Sequence, residues 1–208
     1  GVVPTKEPYA KRTSQGMILG EGGVKMSKSL GNVINPTDVI KAYGADTMRT
    51  YIMFIGDFEK AASWSANAVK GCKRFLDRVW TLGENVQDDA QAYSPANASA
   101  VHKTIKKVTS DIDNLKPNTA IAALMTLLNQ FGDKGCNRAE LRTFLQLLSP
   151  FAPHICDEIW ENHSFEGICS VSPWPSYDEA MCRDAEIDMA VQVNGKLRGA
   201  IHVEADSP

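Results

Sequence analysis

The sequence predicts a mainly α protein: an antiparallel helical bundle, entered through a short mixed segment and followed by the start of a small β domain. Two observations carry this. From Ser65 to Trp160 apolar residues recur at three- and four-residue spacing in successive blocks separated by short breaks, the pattern of packed amphipathic helices. From Ile187 the period changes to two, and Asn194-Gly195 stands between two strand-like runs, the strongest short-range hairpin signal.

In chain order, Gly16-Met17-Ile18-Leu19 is a short apolar run whose length alone does not separate a buried strand from a helix. Asn35-Pro36-Thr37-Asp38 is a helix start, with a capping side chain, proline at the first helical position and an acid in the first turn. That helix is expected to end near Ala42, with Gly44 at its C-terminal cap. A second helix from Asp46 to Gly56 carries Met48, Ile52, Met53 and Ile55 inward. In the bundle, Val69, Cys72, Leu76, Val79 and Trp80 mark one packed face. Val101, Ile105, Val108, Ile112 and Leu115 mark the next, beyond a polar loop at 88–99. Pro117-Asn118-Thr119 starts a helix with Ile121, Leu124, Met125, Leu128 and Phe131 inward. Leu141, Phe144, Leu145 and Leu148 follow, and Pro150 and Pro153 bracket a turn into Ile155, Ile159 and Trp160. Ser172-Pro173-Trp174-Pro175 reads as a rigid connector.

A net charge of −3 argues against a global positive field, so any nucleic-acid contact must come from local basic patches. Lys70, Arg74 and Arg78, four apart on one helix, form such a stripe, with the Lys73–Asp77 pair beside it. Read alone, the stripe is either a solvated face or a phosphate-contacting one. The five cysteines form no C-x-x-C pair, so no metal site is expected, and they read as reduced, mostly buried thiols. No apolar run approaches the roughly 20 residues of a membrane span. His154 at a helix start reads as a structural hydrogen-bonder, and no nucleophile or carboxylate is spaced to work with His163.

The stretch that concentrates chemistry is Lys25-Met26-Ser27-Lys28-Ser29, with Gly20, Gly22 and Gly23 before it and Leu30-Gly31-Asn32 after. Its ammonium and hydroxyl groups are donors suited to phosphate oxygens, and the glycines allow close backbone approach. This stretch is identical to the signature loop of class I aminoacyl-tRNA synthetases. Gly31-Asn32-Val33-Ile34-Asn35-Pro36 and Tyr43-Gly44-Ala45-Asp46-Thr47-Met48-Arg49 resemble the segment after that loop in the leucine, isoleucine and valine enzymes. Arg74-Phe75-Leu76-Asp77-Arg78-Val79-Trp80, Asn118 to Met125, Pro150 to Ile155 and Val191-Gln192-Val193-Asn194-Gly195-Lys196-Leu197-Arg198-Gly199 resemble the bacterial leucyl-tRNA synthetases. Pro117 stands where that pattern carries an aromatic, and Asp57-Phe58 replaces its connector after Phe54.

The resemblance implies a division into 1–60, the end of a Rossmann-like catalytic domain with the signature loop; 61–166, an anticodon-binding bundle; and 167–208, a connector and the start of a C-terminal tRNA-binding domain. It implies ATP binding by Lys25, Met26, Ser27, Lys28 and Ser29, with Lys28, assisted by Lys25, as the catalytic groups. Contacts to tRNA are expected from Lys70, Arg74, Arg78, Lys196 and Arg198. The expected partners are leucine, ATP with Mg2+, and tRNA(Leu), in a cytoplasmic monomer of which this chain is a fragment, inactive by itself. Isoleucine or valine specificity, or a non-catalytic tRNA-binding module, are the competing readings.

Overall fold

The fold is described from a computed structural model of the chain. The described residues are Pro4, 6–7, Tyr9, 11–86, 88–182, 186–193 and 196–204, the last two ranges through backbone and strand pairing. The chain enters through β1 (Ile18–Leu19), which pairs in parallel with β2 (Ala62–Ser63). Between them lie the 25–29 stretch and two helices, α1 (Pro36–Tyr43) and α2 (Ala45–Phe54). Asn35 caps α1 by accepting from the Thr37 N–H, and the Gly44 N–H closes the helix on the Ile40 carbonyl, as the sequence indicates.

On α2 the expected Met48, Ile52, Met53 and Ile55 do pack against the cores, but they are not its most buried residues. Tyr51 is fully buried, with Thr47, Thr50 and Asp46, while Met48, Ile52, Met53 and Ile55 are half-buried. Tyr51 meets Trp64 edge-on, ring centroids 4.7 Å apart, and its hydroxyl accepts from the Ser65 N–H at 2.8 Å. Val69 and Cys72 complete this small cluster, against which Met26, Ile34, Val39 and Ile18 pack. The 25–29 stretch is thereby braced from behind.

Five helices make the larger core: α3 (Ala66–Asn85), α4 (Ala98–Asp113), α5 (Pro117–Lys134), α6 (Arg138–Leu148) and α7 (Pro153–Asn162). Phe75, Val79, Ile105, Ile121, Leu124, Phe144 and Trp160 are among its buried side chains. Two residues expected inside are not. Trp80 is 37% exposed, its indole donating to Glu84 one turn on; Phe75 takes the interior place instead. Leu115 is also 37% exposed, because the chain leaves α4 there in a left-handed conformation (φ 55°) to turn into α5. An apolar hollow of about 460 Å³, lined by Met53, Phe58, Ile112, Phe151 and Trp174 among others, opens where α2 meets the α4–α5 and α6–α7 turns.

One helix ties the two parts together. From α2, Asp46 accepts from the Ile155 N–H at 2.7 Å and contacts His154 Nδ1 at 2.7 Å, capping α7 from 109 positions away, while Arg49 donates to the Pro150 carbonyl at 2.9 Å. Helix α7 has no side-chain cap of its own, so Asp46 supplies what a helix N-terminus needs. Asp46→Ala should therefore cost about 1–2 kcal/mol, read as a lower urea midpoint with an unchanged slope. His163, the other histidine considered, meets the Gly83 carbonyl at 2.8 Å and stacks on Phe165, a structural placement.

Strands β3 (Glu186–Val193) and β4 (Lys196–Glu204) form the expected antiparallel hairpin, with a bulge after Val191. The Asn194-Gly195 turn lies outside the described residues.

Candidate functional site

Residues 25–32 form a closed loop. The Ser27 N–H donates to Asn32 Oδ1 at 2.8 Å, and Asn32 Nδ2 donates to the Lys25 carbonyl at 3.3 Å. Leu30 N–H reaches Ser27 Oγ at 3.2 Å, Ser27 and Ser29 hydroxyls lie 3.1 Å apart, and Gly31 N–H closes on the Lys28 carbonyl at 3.2 Å. Gly31 sits at φ 64°, a left-handed conformation that favours glycine. At Gly20 a Cβ would lie 3.2 Å from Asn32 Nδ2, so the backbone leaving β1 runs close against the clamp. Met26 is half-buried against the Tyr51–Trp64 cluster, and Lys25, Lys28 and Ser29 are exposed. Neither lysine is paired with a carboxylate among the described residues.

Two unneutralised ammonium groups three residues apart, with hydroxyls between them, can bind an extended polyanion such as a phosphate chain. The amides contribute less than a glycine-rich loop suggests, since those of Ser27, Leu30 and Gly31 are engaged within the loop.

On α3, Lys70, Arg74 and Arg78 are all exposed on one stripe, and Lys73 pairs with Asp77 beside it. Arg78 also donates to Asn129 Oδ1 on α5 at 2.8 Å, which fixes its guanidinium to the bundle surface. In the hairpin, Lys196 pairs in register with Val193, and Arg198 lies at the bulge, between Leu197 and Gly199, which pair with Gln192 and Val191. The loop and the stripe are thus on separate elements, and β4 is a third location. Among the described residues no three of His, Cys, Asp and Glu converge on one point, and no helix is long and apolar enough to cross a membrane. The cysteines are free, with Cys72, Cys156 and Cys169 buried. Burial pushes the Cys72 thiol up to about 11 and Cys169 up to about 12, so they stay protonated and unreactive.

A family model for the anticodon-binding domain of tRNA ligases matches residues 98–208, and one for class I tRNA synthetases (I, L, M and V) matches residues 2–65. The leucine–tRNA ligase of Alkaliphilus oremlandii is 52% identical over 207 residues, 99% of this chain, and that of Bdellovibrio bacteriovorus is 46% identical over 98% of it. The chain belongs to the leucine–tRNA ligase family. It spans 26% of the length of each of these two relatives. The LeuRS of Agrobacterium radiobacter K84 agnB2, solved in a ternary complex with tRNA and LeuAMS, superposes with a TM-score of 0.83 at 30% identity, over all of this chain and 30% of that one. A methionyl-tRNA synthetase of Mycobacterium tuberculosis, in complex with methionyl-adenylate, shares the fold over 71% of this chain and 37% of its own, with a TM-score of 0.55 at 18% identity.

Two residues, one shaping the loop and one the frame behind it, escape motif reading. Asn32 is part of the flanking pattern, yet its role as a clamp depends on a loop closure that spacing does not reveal. Asp46 sits in a helix start that looks self-sufficient, while its carboxylate serves another helix.

Proposed function

We propose that the chain supplies the phosphate-binding loop and the tRNA-holding bundle of an enzyme that activates leucine with ATP and transfers it to tRNA(Leu). The observation that carries this is the pair of exposed, uncompensated ammonium groups of Lys25 and Lys28 on a loop held in shape by its own hydrogen bonds. The 46–52% identity to leucine–tRNA ligases favours leucine over isoleucine or valine. In this reading residues 1–60 close the catalytic domain, 61–166 form the anticodon-binding bundle, and 167–208 open a C-terminal tRNA-binding domain. The enzyme is taken as a cytoplasmic monomer.

In activation, a leucine carboxylate oxygen bonds to the α-phosphorus as the bond to the bridging oxygen breaks, and pyrophosphate leaves. Negative charge grows on the leaving group, so fixed cations beside it stabilise the transition state more than the ground state. Lys28 takes that role with Lys25 assisting. The Ser27 and Ser29 hydroxyls orient the phosphates, and Met26 seats the loop. Mg2+ accompanying the triphosphate would supply charge neutralisation there, and no residue of this chain is assigned to hold it. A tRNA 3′-terminal hydroxyl then attacks the leucyl carbonyl, and AMP leaves.

Leucine-dependent pyrophosphate exchange by the full-length protein tests the reading; exchange driven by isoleucine or valine instead would overturn the specificity. The stripe has its own test. Lys70, Arg74 and Arg78, with Lys196 and Arg198 further along, are proposed to meet tRNA phosphates, which position the RNA without reading sequence. Reversing the charge at Lys70, Arg74 and Arg78 together should weaken tRNA binding and flatten the log-affinity against log-salt slope by about 2. Unmoved filter-binding constants would leave the stripe a solvated face.

A further inference from the structure

We propose that Asn32 is a positioning residue for the activation step: its carboxamide holds the two lysines of the loop at a fixed spacing. This rests on the reading that the loop meets the departing pyrophosphate, and it assigns to a residue outside the five-residue motif the task of shaping it.

The carboxamide grips the loop at two points. Its oxygen accepts from the Ser27 N–H at 2.8 Å, and its nitrogen donates to the Lys25 carbonyl at 3.3 Å. These points flank Met26, whose side chain packs against the Tyr51–Trp64 cluster. Lys25, Met26 and Ser27 are therefore held from both sides, by the amide above and by the apolar cluster beneath. Lys28 is fixed next, because Gly31 N–H closes on its carbonyl in the turn that delivers Asn32. The backbone at Gly20 bounds the amide on one side: a Cβ there would lie 3.2 Å from Asn32 Nδ2.

A carboxamide suits this place as no other side chain of its size does. It offers one acceptor and two donors on a planar group, and one clamp point is a donor while the other is an acceptor. An aspartate would set a negative oxygen against the Lys25 carbonyl, and an alanine would release both points. Loosening the loop would let each ammonium group sample many positions, and misplacement by about 1 Å can cost up to a hundredfold in rate.

The test is leucine-dependent pyrophosphate exchange by the full-length protein carrying Asn32→Ala, run beside Lys28→Ala, with thermal unfolding and limited trypsin digestion of each. Expected for Asn32→Ala is a kcat lower by about tenfold or more, with the KM for leucine and the unfolding midpoint unchanged, and faster tryptic cleavage after Lys25 and Lys28. If Asn32→Ala keeps wild-type kcat and cleavage while Lys28→Ala is slow, the inference fails and the loop's role stands. If Lys28→Ala is as fast as wild type, the loop's role fails and the inference with it. A kcat loss in Asn32→Ala accompanied by a lowered unfolding midpoint and unchanged cleavage of the loop would also overturn positioning, by making the residue a stabiliser of the fold.

Discussion

Lys28→Ala should slow leucine-dependent pyrophosphate exchange about a hundredfold, equivalent to roughly 3 kcal/mol of lost transition-state stabilisation, by analogy with removing one oxyanion donor. The effect should fall on kcat. A cation beside the leaving group meets more charge as the bond to pyrophosphate breaks, so it stabilises the transition state more than bound ATP. The fold should be indifferent, since Lys28 is exposed and no described carboxylate pairs with it. Lys25→Ala should cost less, because Lys25 is anchored through its carbonyl at the entry side of the loop and serves in the assisting role. Lys28→Arg separates charge from shape: arginine keeps the charge but spreads it over a planar fork. Partial rescue is expected. An Lys28→Ala enzyme with wild-type kcat would remove the lysine from the chemistry.

The local elements were readable because each is written in neighbouring residues. The start of α1 is spelled by Asn35-Pro36, its end by Gly44, and the α3–α7 bundle by apolar spacing. The β3–β4 hairpin was readable from alternation around Asn194-Gly195. What was not readable is what depends on distant partners. Nothing near Ala62-Ser63 announces a strand; those two residues are extended because the Ala62 N–H donates to the Met17 carbonyl and the Trp64 N–H to the Leu19 carbonyl. Trp80 satisfies the helical spacing yet points to the surface, because Val79 and Phe75 already fill the interior and its indole finds Glu84. In the candidate site, the five-residue motif was visible at once. The Asn32 clamp was not, because which of a loop's amides are already engaged is a property of its closed shape.

Glu140→Ala should cost about 3–5 kcal/mol, because it leaves several donors around a buried site without their acceptor, at about 1–3 kcal/mol for each one left unsatisfied. The Glu140 side chain is 1% exposed, and a carboxylate so placed persists only when its oxygens are satisfied. Here Oε1 accepts from the Ser94 N–H at 2.8 Å and the Ser94 hydroxyl at 2.7 Å, while Oε2 accepts from the Asn97 side chain and the Asn137 N–H, each at 3.0 Å. Part of this is the local capping box of α6, in which Asn137 in turn accepts from the Glu140 N–H. The rest fastens the 88–97 loop, and through Asn97 Nδ2 also the Gly135 carbonyl at the end of α5. Truncation therefore orphans donors on both sides, fully buried at Asn97 and Asn137 and half-buried at Ser94, and should release the loop as well as the helix cap. Thermal unfolding should show a midpoint lower by roughly 10 °C, taking about 2–4 °C per kcal/mol for a chain of this size. Asn137→Ala removes the capping acceptor together with the bond its Nδ2 donates to the Ala92 carbonyl at 2.9 Å, and should cost about 1–2 kcal/mol. Glu140→Gln keeps the shape but turns one acceptor into a donor facing donors, so it should recover only part of the loss. A Glu140→Ala protein that melts within a degree or two of wild type would mean that water replaces the carboxylate, and that the loop is held by its other contacts.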